Sequence, residues 1–182
     1  MERKEQADHI LYQCGLLKEL EVYGSPHIIG SYRMDVMAWN DLDIDVGNDG
    51  MSLEKLYRLS DYIAKAFRPT WYEAKEERDA EGKTVWFHGF EAPIRGQLWN
   101  IDIWFLDGEA IDKAERYCDS IARRVSGEPA LKQSILNIKR ELLARKLYAP
   151  ERYTSMDVYD AVLNCQISSI DDFLERYAKR HA

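Results

Sequence analysis

Three aspartates alternate with aliphatic residues in the segment Asp41–Val46. On a strand, alternate side chains share a face, so Asp43 and Asp45 point the same way with Asp41 behind them, while the aliphatic residues point into the core. Carboxylates this close repel one another, so a strand rarely adopts the arrangement unless a cation lies between the oxygens. The alternative is a solvated edge strand, but strands disfavour Asp. The pattern therefore favours a magnesium site at Asp43 and Asp45.

A phosphate-binding turn precedes these aspartates. Gly30 and Ser31 follow a short apolar run and open a short predicted helix, where free backbone N–H groups can receive an anion. Arg33 lies three residues past Gly30, and its guanidinium either contacts a triphosphate or is an ordinary surface group. A phosphate cradle beside a carboxylate metal site supplies the parts of nucleotidyl transfer.

A third acid, Asp102, lies between two isoleucines on a later predicted strand. We expect a neighbouring antiparallel strand to set it against Asp43 and Asp45. Asp41 is either an acid that supports the metal ligands or merely exposed at the start of its strand, and we expect the latter. Asp102 therefore completes a predicted set of three carboxylates.

Two further residues are weaker candidates. His88 lies among aromatic residues in a predicted hairpin, where a single histidine is more often a sheet residue than a catalyst. Trp104 shares a face with Asp102 and could stack on a flat substrate, although aromatic residues at strand spacing are more often core.

Helices and strands must position these residues. Helical periodicity predicts helices over His9–Leu20 and Met51–Phe67, the second capped by Ser52. Alternation and β-branched or aromatic content predict the strands His27–Ile29, Asp41–Val46, Thr70–Lys75, Thr84–Phe90 and Ile94–Leu106, the last of them central. The segments Ala110–Val125, Pro129–Leu147 and Met156–Tyr177 are predicted helices. The fold class is therefore α+β, a mixed β-sheet flanked by helices with a C-terminal helical region.

Composition limits the partners. The 182-residue chain carries 25 Lys and Arg against 32 Asp and Glu, a formal net charge of -7, and no basic face for a nucleic-acid backbone is evident. We therefore expect no nucleic acid. No apolar run is long enough to span a membrane, and the charged N-terminus is unlike a signal peptide. Three widely spaced cysteines fit thiols in a reducing compartment, so we expect a cytoplasmic protein.

The residues resemble the nucleotidyltransferase fold shared by DNA polymerase beta, aminoglycoside and lincosamide nucleotidyltransferases, and minimal nucleotidyltransferases. The resemblance covers Ile28–Leu106: an apolar run into Gly-Ser, a gap of about ten residues, Asp-x-Asp between aliphatic residues, and a later strand Asp. It implies a catalytic domain over 1–108, with the helical region 109–182 packed on it.

The resemblance also implies roles. Gly30 and Ser31 would hold the β and γ phosphates of ATP or another nucleoside triphosphate. Asp43 and Asp45 would bind two Mg2+ ions, and Asp102 would ligate metal and deprotonate the acceptor hydroxyl. The predicted catalytic and metal-binding residues are thus Asp43, Asp45 and Asp102, and the predicted nucleotide-binding residues are Gly30, Ser31 and Arg33.

The implied function is magnesium-dependent transfer of a nucleoside monophosphate, AMP from ATP in the first instance, to a hydroxyl of a small molecule such as an antibiotic, with release of pyrophosphate. An alternative is a minimal nucleotidyltransferase antitoxin that binds or adenylylates a partner protein, although three helical segments after the sheet disfavour it. A non-catalytic member is disfavoured because all three acids are present. Assembly into a homodimer is left open.

Overall fold

A computed structural model describes residues 2–178 of the chain. Its strands are β1 Pro26–Ile29, β2 Asp41–Gly47, β3 Trp71–Arg78, β4 Thr84–Ile94 and β5 Gln97–Leu106. Its α-helices are α1 Arg3–Asp8, α2 Leu16–Leu20, α3 Gly30–Arg33, α4 Leu53–Phe67, α5 Gly108–Gly127, α6 Pro129–Ala144, α7 Ser155–Cys165 and α8 Ile170–Ala178, with a π-helical turn at His9–Gln13 after α1.

The five strands form one mixed sheet in the order β1-β2-β5-β4-β3. Strand β5 is central, as predicted. It pairs in parallel with β2, whereas the other neighbouring strands are antiparallel. The predicted antiparallel approach of Asp102 to Asp43 is therefore wrong. The chain between β2 and β5 holds α4 and the β3–β4 hairpin, and a crossover of that length is what a parallel pair requires.

The hydrophobic core covers one face of the sheet. It includes Leu42, Ile44 and Val46 of β2, none of which is exposed to solvent, and the corresponding aliphatic and aromatic residues of β5. Leu59 and Ile63 of α4 belong to the same buried cluster. Each such side chain contributes about 1.5–3 kcal/mol on burial, which fixes the register of β2 and sends its aspartates to the opposite face.

Local sequence signals explain most helix boundaries. The Ser52 hydroxyl accepts a hydrogen bond from the Lys55 backbone N–H at 3.3 Å and caps α4, as predicted. The single helix predicted over His9–Leu20 is wrong, because Gly15 adopts φ 79° and separates the π-helical turn from α2. The predicted helix Met156–Tyr177 is also two helices, with Gln166 at φ 56° ending α7.

The chain divides into two compact units, Met1–Asp119 and Ser120–Ala182. The first contains the whole sheet, and the second contains the end of α5 with α6, α7 and α8. The three cysteines, all within the described residues, are free thiols. Within residues 2–178, no helix has the length and apolar content needed to cross a membrane.

Candidate active site

The carboxylates of Asp41, Asp43 and Asp102 lie together on the sheet face opposite the core. Each offers an oxygen, and these oxygens lie within 4.8 Å of one another. Asp43 pairs directly with Asp102 in the parallel register of β2 and β5. The structure thus brings together two predicted metal ligands and adds Asp41, which we had expected to be merely exposed. The same-face spacing of Asp41 and Asp43 was the signal in the sequence that could have identified it.

Asn100 connects two of these carboxylates. Its Nδ2 donates hydrogen bonds to Asp41 Oδ1 at 2.9 Å and to Asp102 Oδ2 at 3.2 Å. Asn100 lies opposite Asp41 in the register and two residues before Asp102, so all three side chains share one face. Sequence reasoning missed this amide, although its even spacing from Asp102 placed it on the same face.

The electrostatics of this site favour a cation. Burial, together with the negative charge of Asp41, raises the pKa of Asp102 to about 6, whereas the hydrogen bond from Asn100 opposes the rise. Three partly buried carboxylates therefore lie at a free-energy cost that a divalent cation would offset. The donor set consists of oxygens, which suits Mg2+. The residues present thus fit the metal that the sequence predicts.

Asp45 lies on the same face, one step further along β2. It pairs with His27 of β1 and with Trp104 of β5, and its side chain is 2% exposed. Its Oδ2 has no hydrogen-bond partner within residues 2–178. Burial raises the pKa of Asp45 to about 6, an effect that His27 opposes and Glu115 reinforces. The structure does not place Asp45 in the group of three carboxylates, so its role as a metal ligand stays a prediction.

Gly30 lies against Asp43 at the junction of β1 and α3. It adopts φ 64°, and a Cβ added there would overlap the Asp43 carboxylate, so only glycine fits. Ser31 follows it and is 6% exposed. The Gly30 N–H lies near the Cys118 thiol of α5, and it opposes the rise that burial causes in the pKa of that thiol. The predicted phosphate cradle at Gly30 and Ser31 is therefore adjacent to the carboxylates.

Arg33 is engaged by acidic residues of α5. Its Nε and Nη2 donate to the two carboxylate oxygens of Asp119 at 2.8 and 3.1 Å. Its Nη1 donates to Glu115 Oε1 at 2.6 Å and to the Ile28 carbonyl at 3.3 Å. The structure therefore shows a bidentate ion pair at this guanidinium, and a direct contact with triphosphate stays a prediction.

Gly89 keeps room beside Asp102 on the neighbouring strand. It pairs with Asp102, and an added Cβ would lie 3.1 Å from Asp102 Oδ1 and 2.5 Å from the Phe87 ring. The Phe87 ring packs on Trp104 with centroids 4.5 Å apart.

His88 points to the opposite, core face of the sheet. It is fully buried there and hydrogen-bonded to Tyr72, so it lies outside the site.

No protein-family model and no curated protein matches the chain. Solved structures do. Cid1 poly(U) polymerase bound to MgATP aligns with a TM-score of 0.66 at 17% identity over 91% of this chain and 50% of its own. A cytoplasmic RNA terminal U-transferase aligns with a TM-score of 0.61 at 17% identity, over 88% of this chain and 47% of its own. The non-canonical poly(A) polymerase complex GLD-2–GLD-3 aligns with a TM-score of 0.61 at 12% identity, over 98% of this chain and 59% of its own.

The chain thus spans about half the length of the structures it resembles. At these identities the similarity shows the fold. The chain has a nucleotidyltransferase fold, which confirms the resemblance seen in its residues and the predicted α+β class.

Proposed function

We propose that the chain is a magnesium-dependent nucleotidyltransferase. The observation that carries the proposal is the direct pairing of Asp43 with Asp102, with Asp41 beside them, next to the Gly30 turn. Carboxylates on adjacent strands next to a glycine-opened turn are the parts that nucleotidyl transfer requires. The fold similarity to poly(U) and poly(A) polymerases supports the same reaction class.

In this reaction the acceptor oxygen forms a bond to the α-phosphorus, and the bond from that phosphorus to the bridging oxygen breaks to release pyrophosphate. Asp41, Asp43 and Asp102 would hold Mg2+, which neutralises triphosphate charge when bound. Asp102 would also accept the proton of the acceptor hydroxyl, as the resemblance to the nucleotidyltransferase fold implies. Gly30 and Ser31 would hold the phosphates of ATP or another nucleoside triphosphate.

For the acceptor, we favour a small molecule with a free hydroxyl. The net charge of -7 opposes binding of a nucleic-acid backbone. Glu73, which pairs with Gly89 in the row that contains Asp102, adds negative charge beside the site. An antibiotic acceptor is a narrower version of this proposal. The antitoxin that binds or adenylylates a partner protein is a separate alternative, and both stay predictions.

A second candidate acceptor is the terminal hydroxyl of RNA. The specific observation in its favour is the fold similarity to enzymes described as RNA terminal U-transferase and poly(A) polymerase. The two candidates differ in charge, because an RNA acceptor would have to approach an acidic surface and its binding would weaken steeply with salt.

Label transfer from α-labelled nucleoside triphosphates tests the proposal. The acceptor panel contains aminoglycosides, lincosamides, an RNA oligonucleotide and the proteins encoded beside this chain. Asp43→Asn and Asp102→Asn should each reduce transfer by about a hundredfold or more. Asp49→Asn, at an exposed aspartate just after β2, should retain it. Equal turnover by wild type and by both site variants would contradict the assignment.

A further inference from the structure

One face of α5 holds the β1–α3 junction. Glu115, Cys118 and Asp119 are spaced by three and four residues, so their side chains share a side of the helix. The Cys118 thiol lies near the Gly30 N–H, and the two carboxylates form ion pairs with the Arg33 guanidinium. This face of α5 therefore lies against the short segment that carries the predicted phosphate cradle.

The guanidinium of Arg33 is the centre of these contacts. Nε, Nη1 and Nη2 all donate to α5 carboxylates, and the pair with Asp119 is bidentate. Nη1 also donates to the carbonyl of Ile28, on the strand that leads into the turn. The same Glu115 oxygen lies 3.1 Å from His27 Nδ1 on that strand. Arg33 thus links both sides of the Gly30–Ser31 turn to α5.

We infer that Arg33, Glu115 and Asp119 position the Gly30–Ser31 turn for nucleotide binding, with Arg33 as a positioning residue rather than a phosphate ligand. The inference rests on the proposed function, because it presumes that this turn receives the triphosphate. The physical reason is competition between negative groups. A phosphate could bind the Arg33 guanidinium only by displacing two carboxylates that already accept its N–H hydrogen bonds. The bidentate pair of the Arg33 guanidinium with Asp119 instead fixes the orientation of α3 relative to β1.

The two roles of Arg33 predict opposite responses to Asp119→Asn. If Arg33 contacts phosphate, loss of the competing carboxylate frees the guanidinium and MgATP binds more tightly. If Arg33 positions the turn, the same change weakens MgATP binding by about three- to tenfold, about as much as Arg33→Ala. The double variant should then be no weaker than either single one, because both remove one interaction. Tighter binding by Asp119→Asn would overturn the inference.

Two controls separate position from charge. Asp112→Asn removes the same charge from the same helix, at a side chain that is 68% exposed and pairs with Arg116. It should change MgATP affinity by less than Asp119→Asn does, whereas an equal change would mean that Asp119 acts only through long-range charge. The double variant with the charges exchanged, Arg33→Glu with Asp119→Arg, should bind MgATP more tightly than Arg33→Glu alone. If Arg33 contacted phosphate, this recovery would not occur.

A measurement without nucleotide completes the test. Amide hydrogen exchange over residues 28–34 should be faster by about threefold or more in Asp119→Asn, and in Glu115→Gln as a second variant, than in wild type or Asp112→Asn. Unchanged exchange in both variants would overturn the inference. If wild type binds no nucleoside triphosphate, the proposed function fails, while hydrogen exchange still decides whether α5 holds the turn.

Discussion

Asp43 and Asp102 lie directly opposite each other on two neighbouring parallel strands, β2 and β5. Backbone hydrogen bonds on both strands fix this relationship, so the sheet itself holds the two carboxylates together. Asp41 joins them because it lies two residues before Asp43 on the same face. The site is therefore built on rigid elements, which suits the precise placement that catalysis requires.

Asp41 and Asp45 are alternative partners for this pair, and metal binding distinguishes them. Asp41→Asn should weaken binding of Mg2+ or Mn2+ by about tenfold or more, because it removes an oxygen from the group of three. Asp45→Asn should change it by less than about threefold, because Asp45 lies outside that group. Titration of Mn2+ by calorimetry measures both. The reverse order of effects would support the predicted pair of Asp43 and Asp45 as the metal ligands of β2.

The local patterns predicted the strand, its face and Asp102 as the third acid, but not which aspartates of β2 meet Asp102. Alternation along Asp41–Val46 correctly places three aspartates opposite the core, because a period of two is a property of the strand alone. Which two of them meet Asp102 depends on the register between β2 and β5. That register is set by the packing of Leu42 and Ile44 in the core. Because a long crossover separates β2 from β5 in the chain, local sequence does not encode it.

Residues with left-handed backbone conformation interrupt predicted strands and helices at positions that hydrophobic periodicity does not indicate. Arg95 at φ 51° and Gly96 at φ 78° form a turn inside the predicted strand Ile94–Leu106, so Ile94 ends β4 and Gln97 begins β5. The hairpin of β3 and β4 was predicted, because turn residues separate two β-branched and aromatic runs. The carboxylates that engage Arg33 lie far along the chain, so only the folded structure shows them.

Gly30 is predicted to be irreplaceable. Gly30→Ala adds a Cβ that overlaps the Asp43 carboxylate and also strains a backbone at φ 64°. We expect loss of MgATP binding and of transfer by about a hundredfold, measured by calorimetry and label transfer. Gly82→Ala is the matched control, because Gly82 has φ 81° but nothing lies within 4 Å of an added Cβ. Equal losses in the two variants would assign the effect to backbone strain alone.

Asn100 is predicted to support metal binding without being a ligand. Asn100→Ala removes the amide that donates to Asp41 and Asp102, so their repulsion rises and both side chains gain freedom. Metal affinity should fall by about tenfold, as for other groups that orient ligands. Asn137→Ala removes an exposed amide partner of Gln133 on α6 and should leave metal affinity unchanged. Unaltered Mn2+ binding by Asn100→Ala would show that the sheet alone positions the carboxylates.

A hydrogen-bond chain in the interior assigns the tautomer of His88. The Leu56 carbonyl accepts from the Ser60 hydroxyl at 2.9 Å, and Ser60 Oγ accepts from Tyr72 at 2.6 Å. The Tyr72 oxygen therefore accepts from His88 Nδ1–H, 2.7 Å away. In the neutral ring the proton is therefore on Nδ1, and Nε2 is buried without a hydrogen-bond partner within residues 2–178, where an added proton would have no acceptor. Burial accordingly lowers the pKa of His88 to about 4.

Acid is therefore predicted to destabilise the fold through His88. Between pH 6.5 and about 4 the unfolded state binds a proton that folded His88 does not, so this contribution to stability is complete above pH 6.5 and is lost as pH falls. The loss is about 3 kcal/mol by pH 4. Asp45 and Asp102 titrate in the opposite sense over part of this range, because burial raises their pKa values to about 6. Comparison with His88→Asn, which keeps a donor for Tyr72 but does not titrate, cancels those carboxyl contributions. Urea unfolding from pH 4 to 8 should show the wild type losing stability relative to this variant below pH 6.5, and a constant difference across the range would contradict a buried, neutral His88.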